Sequence, residues 1–289
     1  MFKVKKAVIT AAGLGTRLLP LTKEVPKEML PIFVKGFRGE LLLKPLTQVI
    51  FEQLYSVGIR EFFIIVGRGK RAIEDYFTPD SEFIKLLRGK GKNDYAEEME
   101  RFYKMIFESI VVFLNQPEPK GFGDAVLRAR GLINETFLVH AGDTYIASRN
   151  LEHLEKLIDV HSRHGCSATL LVTEVEDPRP YGVIGGRMVE DDIWIVERIE
   201  EKPDKPWSNT VILPVYIFEP EIFNCLEEVP PGKGGELQLT DGIGCLVRKG
   251  KKVMAVRLPQ HIHRLDIGSP STFWEAIEVS YELSKTNIY

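Results

Sequence analysis

The sequence predicts an α/β fold with a mixed, mostly parallel sheet, helices on both of its faces and an antiparallel extension. Apolar, strand-like runs alternate with amphipathic helical stretches up to residue 175, which is the pattern of successive βαβ units. After residue 175 the apolar runs are spaced like the strands of hairpins. The chain of 289 residues is 44% hydrophobic, so it can bury a large core in one large or two small domains.

The elements of the predicted parallel part follow one another as strand, helix, strand. The first strand covers residues 7–12 and the first helix residues 44–57, and Gly58 then follows, a residue type that commonly ends helices. The remaining elements are a strand at 61–66, a helix at 70–77, a polar helix at 95–108, a strand at 110–114, a helix at 123–132, a strand at 137–141, a helix at 151–164 and a strand at 166–175. The basic residues between 85 and 92 are expected to lie in a solvated loop.

The second part of the chain begins with strands at 181–186, 194–199 and 211–218, which are expected to form the antiparallel extension. The elements after them are a helix at 219–226, a Pro- and Gly-rich loop at 230–235, a helix at 239–248, a strand at 252–258 and a closing helix at 271–284. The sequence shows no internal repeat and no linker between domains.

The segment after the first strand, GLGTRLLPLTKEVPKEMLP at residues 13–31, predicts a phosphate-binding loop. Glycines let backbone N–H groups approach an anion without a Cβ in the way, and Arg17, Lys23 and Lys27 can donate charge-assisted hydrogen bonds to its oxygens. A glycine pair after a strand can also be a simple tight turn. The spacing excludes two familiar motifs, because Leu18 stands where a dinucleotide fingerprint needs its third glycine and no Gly-Lys-Ser/Thr follows as in a Walker loop.

Polar residues follow three of the predicted strands. The glycine–arginine loop follows the first strand, Gln116 follows the strand at 110–114, and Asp143 follows the strand at 137–141. Ligands of open α/β sheets bind beyond the carboxyl ends of the strands, so we expect one active site assembled from all three. Considered singly, Gln116 could be a solvated loop residue and Asp143 could be a helix cap.

The pattern G-x-G-T-R-L-x-P-x-T from Gly13, followed by P-K-E-M-L-P, resembles the signature of the sugar-1-phosphate nucleotidyltransferases, in the form of their uridylyltransferase branch. Further segments that resemble this family are Y-G-V from Tyr181, E-K-P from Glu201, E-L-Q-L-T-D from Glu236 and L-D-I-G-S-P from Leu265. The resemblance implies a Rossmann-like, three-layer nucleotide-diphospho-sugar transferase fold. It also implies a catalytic domain at 1–258 and a C-terminal segment at 259–289, with a metal ligand and a helix packed on the same domain.

The resemblance further implies roles for individual residues. The residues implied to bind the nucleotide are Ala11, Ala12, Gly13, Gly15, Thr16, Gln116 and Gly121, with Gln116 pairing with the base. The residues implied to bind the sugar are Gly182, Glu201, Lys202 and Ile212. The residues implied to be catalytic are Arg17 and Lys27, which contact the leaving pyrophosphate, and Lys202, which contacts the sugar phosphate. Asp143 and Asp266 are implied to hold Mg²⁺, an ion that binds one or two carboxylates together with phosphate oxygens and water.

The implied reaction is uridylyl transfer from UTP to glucose-1-phosphate, which yields UDP-glucose and pyrophosphate. A thymidylyltransferase, another sugar-1-phosphate nucleotidyltransferase and an inactive regulatory subunit stay open as alternatives. The identity of the base is not decided, because bacterial uridylyltransferases usually carry a histidine where this chain has Asp124. The identity of the hexose is not decided either, because Pro214 replaces a glycine that is usual in the family. The role of residues 35–43 is not predicted, and Asp266 could instead cap the closing helix.

The composition indicates which kinds of partner and which cellular compartment to expect. The chain has 38 Lys and Arg against 41 Asp and Glu, a net charge of −3 that favours small-molecule substrates over nucleic acid. Apolar runs are too short to span a bilayer, and an odd number of cysteines without Cys-x-x-Cys spacing indicates the cytoplasm. Phe273 and Trp274 of the closing helix could pack on another subunit, giving the homo-oligomer that we expect, or on their own domain.

Overall fold

In the computed structural model, which describes residues 4–259 and 261–285, thirteen strands and nine α-helices follow one another. The strands are β1 Lys6–Ala11, β2 Pro31–Lys35, β3 Leu41–Pro45, β4 Glu61–Val66, β5 Ile110–Asn115, β6 Phe137–Ala141, β7 Thr144–Ala147, β8 Ala168–Glu174, β9 Gly182–Glu190, β10 Ile193–Glu201, β11 Thr210–Phe218, β12 Val253–Arg257 and β13 His263–Asp266. The helices are α1 Leu46–Ser56, α2 Arg71–Tyr76, α3 Ser81–Gly89, α4 Asn93–Phe107, α5 Phe122–Leu127, α6 Glu152–His164, α7 Glu221–Glu228, α8 Leu239–Arg248 and α9 Pro270–Lys285.

The main sheet of the described residues has nine strands in the order β5-β4-β1-β6-β11-β8-β12-β10-β9. Strands β5, β4, β1 and β6 are parallel neighbours, and β8 is parallel to β12. The predicted hairpin strands are antiparallel, but β11 lies between β6 and β8 and not in a peripheral extension. Its apolar residues are buried on both faces of the sheet, for example Leu213 and Phe218, so a central position removes both sets from water.

Successive residues of β1 enter two different cores, which explains the three layers. Ala7, Ile9 and Ala11 pack in the core that contains residues of α1, α4 and α6, whereas Val8 packs in the core that contains residues of α5, α7 and α8. Side chains of a strand point alternately to the two faces of its sheet, so a run that is apolar throughout is buried on both sides. The α/β fold class predicted from the sequence is therefore confirmed.

Residues 31–45 form a β-hairpin that the sequence analysis did not identify. Strands β2 and β3 pair antiparallel, so the extra residues 35–43 form the turn and most of the second strand, and Lys44 belongs to β3 and not to the first helix. At the turn, Arg38 forms ion pairs with Asp94 and Glu97 of α4. The hairpin is thus held by residues more than fifty positions away in the chain, which a local pattern does not reveal.

Helix α3 corrects the prediction of a loop over residues 85–92. Asp80 caps this helix, because its carboxylate accepts a hydrogen bond of 2.9 Å from the backbone N–H of Phe83. Ile84 is buried, while Lys85 and Arg88 are exposed. The basic residues are therefore solvated as expected, but Lys85 and Arg88 belong to a short helix, and only residues 90–92 form the predicted loop.

The C-terminal segment contacts the rest of the chain through β13 and α9. Strand β13 pairs antiparallel with β7, and Ser280 of α9 accepts a hydrogen bond of 3.1 Å from the backbone N–H of Phe33 in β2. Phe33 also packs edge-on against Tyr281, with 5.1 Å between ring centroids. Of the helices described, none is both long and apolar enough to cross a membrane.

Candidate functional site

A cleft of about 600 Å³ lies beyond the carboxyl ends of β1, β5 and β6 and is closed on the other side by residues of β9, β10 and β11. The predicted site residues that line it are Ala12, Gly13, Gly15, Thr16, Arg17, Lys27, Gln116, Gly121, Asp143, Gly182, Glu201, Lys202, Ile212 and Asp266. Ala11 is different, since it is the last residue of β1 and is buried in the core. The residues named from the sequence thus converge on one cavity.

The loop after β1 wraps the end of the cleft in three short 3₁₀ turns. Gly15 has a φ of 66°, a left-handed conformation that favours glycine, and its carbonyl accepts a hydrogen bond of 2.7 Å from the Thr22 hydroxyl. Arg17 and Lys27 line the cleft, but Lys23 does not and its side chain is 78% exposed. The position of Lys23 therefore does not support the contact with phosphate that we expected from the sequence.

Asp143 and Asp266 approach each other because β7 and β13 are paired. Asp266 lies opposite Thr144 in that pair, and the Thr144 hydroxyl oxygen is 3.5 Å from Asp143 Oδ1 and 3.4 Å from Asp266 Oδ1. Gly142 precedes them at a point where a Cβ would come within 2.9 Å of the Thr10 carbonyl oxygen in β1. Close approach of two backbones thus positions the first carboxylate.

Neither aspartate caps a helix, which resolves the alternative raised for both. Asp143 is followed by strand β7 and not by a helix. At the start of α9, the backbone N–H of Thr272 donates to the Ser269 hydroxyl at 3.3 Å, so Ser269 occupies the capping position that Asp266 could have taken. Neither carboxylate is therefore used for capping, and both line the cleft.

Charge in the cleft is concentrated where Lys27 meets the aspartates. Lys27 Nζ forms an ion pair with Asp143 Oδ2. Burial opposes the charge on Lys27, but Asp143, Glu28 and Asp266 outweigh it and raise the lysine pKa. Burial likewise opposes the charge on Asp143, but attraction and hydrogen bonding by Lys27 lower its pKa. Both groups are thus ionised at neutral pH.

The donor set of the cleft fits a divalent cation that the substrate helps to bind. Among residues 4–259 and 261–285, no cluster of three or more His, Cys, Asp or Glu side chains could hold a metal by itself. Two carboxylates beside one hydroxyl suit Mg²⁺, which commonly takes one or two protein carboxylates and completes its shell with phosphate oxygens and water. The arrangement does not suit a structural metal held in an all-protein cage.

Arg264 is a cleft residue that the sequence analysis missed. Its guanidinium lies 5.2 Å from the ring centroid of Tyr181, and its Nη2 is 3.4 Å from Asp266 Oδ1. Burial opposes its charge, but Asp266 and Tyr181 raise its pKa. The available signal was strand alternation, because residues 264 and 266 of one strand share a face.

Glu28 is a second missed residue, buried at the floor of the cleft beside Lys27. Its Oε2 lies 2.7 Å from Lys70 Nζ, and its backbone carbonyl accepts a hydrogen bond of 2.6 Å from the Thr47 hydroxyl. Burial raises the pKa of Glu28 even though Lys70 and Lys27 lower it. These contacts fasten the P-K-E-M-L-P segment to α1 and to the residue before α2.

The predicted base-binding residues lie where the segment after β5 meets the segment before α8. Gly121 has a φ of 108°, and a Cβ on it would lie 2.6 Å from the Leu237 carbonyl oxygen. The same carbonyl accepts a hydrogen bond of 2.8 Å from the backbone N–H of Gly123, and the Leu237 N–H donates to the Lys120 carbonyl at 2.8 Å. Glycines at 121 and 123 thus permit a close backbone contact that shapes this end of the cleft.

The predicted sugar-binding residues lie across the β9–β10 pair. Gly182 is opposite Glu201, and a Cβ on Gly182 would lie 3.1 Å from Glu201 Oε2. The Thr240 hydroxyl donates to the same Oε2 at 2.7 Å. Lys202 follows with a φ of 44° and its Nζ lies 3.1 Å from Glu201 Oε1. A carboxylate acceptor and an ammonium donor are thereby presented side by side.

Pro214 lies at a break in β11. The register between β11 and β8 shifts between Leu213 and Tyr216, so Pro214 falls in a bulge. A proline lacks the N–H that a central strand must donate, and a bulge is where such a residue is tolerated. Pro214 and Tyr216 both line the cleft beside Ile212.

Comparison with known proteins agrees with this geometry. The nucleotidyl transferase family profile matches residues 6–282. The chain is 36% identical over 296 residues to a UTP–glucose-1-phosphate uridylyltransferase of Pseudomonas aeruginosa, covering 96% of each chain. It is also 36% identical over 301 residues to one of Streptococcus pyogenes, covering 100% of this chain and 92% of that protein.

Solved structures give the same result. The fold is similar to that of UDP-glucose pyrophosphorylase complexed with UDP-glucose, with a TM-score of 0.82, 32% identity and coverage of 97% and 99% of the two chains. It is similar to UTP-bound UGPase from Acinetobacter baumannii, with a TM-score of 0.83, 27% identity and coverage of 99% and 95%. With the glycine–arginine loop, the Asp143–Asp266 pair and the Glu201–Lys202 pair around one cleft, and with the profile matching residues 6–282, the chain belongs to the nucleotidyl transferase family.

Proposed function

We propose that the protein is a UTP–glucose-1-phosphate uridylyltransferase, which makes UDP-glucose and pyrophosphate from UTP and glucose-1-phosphate. The names of its relatives support the choice of substrates. The observation that carries the proposal is the arrangement of charges in one cleft. Arg17 and Lys27 lie with the loop after β1, Lys202 follows β10, and Asp143 and Asp266 complete the set.

The reaction needs no covalent enzyme intermediate. A phosphate oxygen of glucose-1-phosphate attacks the α-phosphorus of UTP, and the bond from that phosphorus to the oxygen bridging to the β-phosphate breaks. Pyrophosphate leaves with the bond's electron pair. The work of the protein is to align the two anions and to neutralise their charge.

The cleft residues divide this work according to their charge. Arg17 and Lys27 stabilise the leaving pyrophosphate, together with the backbone N–H groups of the glycine loop. Lys202 positions the attacking phosphate, and Glu201 accepts hydrogen bonds from sugar hydroxyls beside Gly182 and Ile212. The nucleotide is held by Ala12, Gly13, Gly15, Thr16, Gln116 and Gly121, while buried Ala11 supports this loop from the end of β1. Asp143 and Asp266 would hold Mg²⁺, which supplies further positive charge against the phosphates.

Several wider expectations belong to the same proposal. Residues 1–258 form the catalytic domain, and residues 259–289 supply a metal ligand and a helix packed on it. The protein works in the cytoplasm, which the three free, buried cysteines Cys166, Cys225 and Cys245 support. It forms a homo-oligomer, for which Trp274 of α9, 67% exposed, is a suitable contact residue.

Pyrophosphate release from the purified protein tests the proposal, with glucose-1-phosphate and each nucleoside triphosphate in turn. UTP should be the best substrate, and the purine triphosphates should be poor substrates. We expect measurable activity with dTTP, because a binding site discriminates one methyl group by about 1–3 kcal/mol. Equal or better use of dTTP would assign the protein to the thymidylyl branch. The absence of pyrophosphate release with every sugar phosphate tried would favour an inactive regulatory subunit.

A further inference from the structure

Gln116 has its side-chain amide held in one orientation. Its Nε2 donates a hydrogen bond of 2.7 Å to Asp124 Oδ2 and another of 3.1 Å to the Gly121 carbonyl oxygen. Both partners can only accept, the one being a carboxylate and the other a backbone carbonyl. The nitrogen must therefore face Asp124 and Gly121, and the usual ambiguity between amide nitrogen and oxygen does not arise.

Asp124 is itself kept in place as a carboxylate. Only 6% of it is exposed, and both of its oxygens are contacted by Arg128 one helical turn later, Oδ2 at 3.3 Å from Nε and Oδ1 in an ion pair with Nη2. Gln116 is equally buried at 5% exposure. The buried Gln116 amide keeps its donors on this buried carboxylate, because a buried charge that loses a hydrogen-bond donor raises the free energy of the folded protein.

The chemical consequence concerns what Gln116 can offer a base. Gln116 lines the cleft, and both of its N–H donors are already used, so Oε1 is the one polar atom that its amide can present to a ligand. An acceptor pairs with the N3–H of uracil or thymine. It repels the N3 of cytosine, which carries a lone pair and no hydrogen.

We infer that Asp124 is a specificity-determining positioning residue: by holding the Gln116 amide with its oxygen towards the base, it makes the site accept uracil and reject cytosine. The inference rests on the proposed function, since it assigns the base contact of that same cleft. Asp124 touches Gln116 and not the reacting atoms, so it acts through Gln116. This assigns a role to the position at which the sequence analysis noted a departure from bacterial uridylyltransferases.

The test compares kcat/KM for UTP, CTP and dTTP in the wild type and in Asp124→Asn at pH 8. An asparagine can donate or accept, so only the longer hydrogen bond of 3.1 Å to the Gly121 carbonyl still opposes a turn of the Gln116 amide. The turned amide presents an N–H to cytosine. The preference for UTP over CTP should fall by on the order of tenfold or more, the effect of one buried hydrogen bond made or mispaired. The preference for UTP over dTTP should stay as in the wild type, because thymine presents the same imide edge.

Two control variants separate this role from a structural one. Glu118→Gln makes the same acid-to-amide change in the loop before α5, at an exposed residue whose ion pair is with Lys120, and should leave the UTP to CTP ratio unchanged. Arg128→Lys keeps a cation beside the Asp124 carboxylate, and should also retain the preference for UTP. A purely structural role for Asp124 would lower turnover of UTP and CTP together and leave their ratio unchanged.

An unchanged UTP to CTP ratio in folded Asp124→Asn would overturn the inference, and so would a matching loss of preference in Arg128→Lys. If Asp124→Asn does not fold, the wild type still provides a test, because use of CTP within about threefold of UTP contradicts an acceptor facing N3. Calorimetric binding of UTP and CTP without sugar phosphate separates the two proposals. Selective binding of UTP without turnover would refute the proposed function and support the base contact.

Discussion

Acidification should destabilise the fold through His140, which is fully buried in β6 three residues before Asp143. Burial lowers the pKa of His140 from 6.5 to about 4, although a hydrogen bond from its Nδ1 to the Ala141 carbonyl works against this shift. Between these two values the unfolded chain binds a proton that the folded protein does not bind. The stability that His140 contributes is therefore fully present above about pH 6.5 and is lost as the pH falls towards 4.

The expected loss of unfolding free energy follows from the difference between pH 5 and the unfolded pKa of 6.5. Each pH unit in this window removes about 1.4 kcal/mol, so His140 should cost about 2 kcal/mol of unfolding free energy at pH 5 relative to pH 8. His153 should add a loss of the same sign, because burial lowers its pKa to about 3. Urea denaturation followed by tryptophan fluorescence at the two pH values measures the total.

The variant His140→Asn isolates the contribution of one group. Its amide can still donate to the Ala141 carbonyl, but it does not titrate, so its pH-dependent loss should be about 2 kcal/mol smaller than that of the wild type. His263→Gln is the control, because His263 is exposed and should leave the difference between pH 5 and pH 8 unchanged. Equal losses in His140→Asn and in the wild type would refute the reasoning.

Three further predictions concern the cleft. Lys202→Ala should lower turnover by on the order of 10²-fold while UTP binding and the fold persist, and the exposed neighbour Lys205→Ala should behave like the wild type; near wild-type kinetics of Lys202→Ala would remove this lysine from the site. Asp143→Asn and Asp266→Asn should each weaken activity and its Mg²⁺ dependence, and the double variant should be little worse than the worse single one, so fully additive losses would indicate separate roles. Gly142→Ala should lower the free energy of unfolding by about 1–3 kcal/mol, because its Cβ would lie 2.9 Å from a carbonyl oxygen of β1; an unchanged urea midpoint would contradict this.

Local pattern was sufficient for the elements of the parallel part and for the family. In the run at residues 7–12, every residue that packs in one of the two cores is apolar. The strand predicted at 61–66 has the observed bounds of β4. The glycine–arginine loop and the E-K-P segment were identified from residue type and order alone, and residues of both line one cleft. The predicted family is confirmed by the match over residues 6–282. The roles of individual residues stay predictions.

Local pattern was insufficient wherever a distant partner decides the outcome. The hairpin at residues 31–45 depends on α4, through ion pairs of Arg38, and on α9, through Phe33. Strand β11 takes a central place because it pairs with β6 and β8 along its two edges while the two cores bury its two faces. The strand itself does not specify which strands these neighbours are. Arg264 enters the cleft because β13 pairs with β7.

The sequence by itself determined which chemical groups the protein carries and which strands carry them, because periodicity and short motifs are properties of neighbouring residues. The tertiary structure alone decided how those groups are oriented. Gln116 could donate or accept as far as its sequence position shows, and only the approach of the Asp124 carboxylate and the Gly121 carbonyl commits its donors. Orientation depends on distances of a few ångströms between atoms, and those distances exist only once the chain has folded.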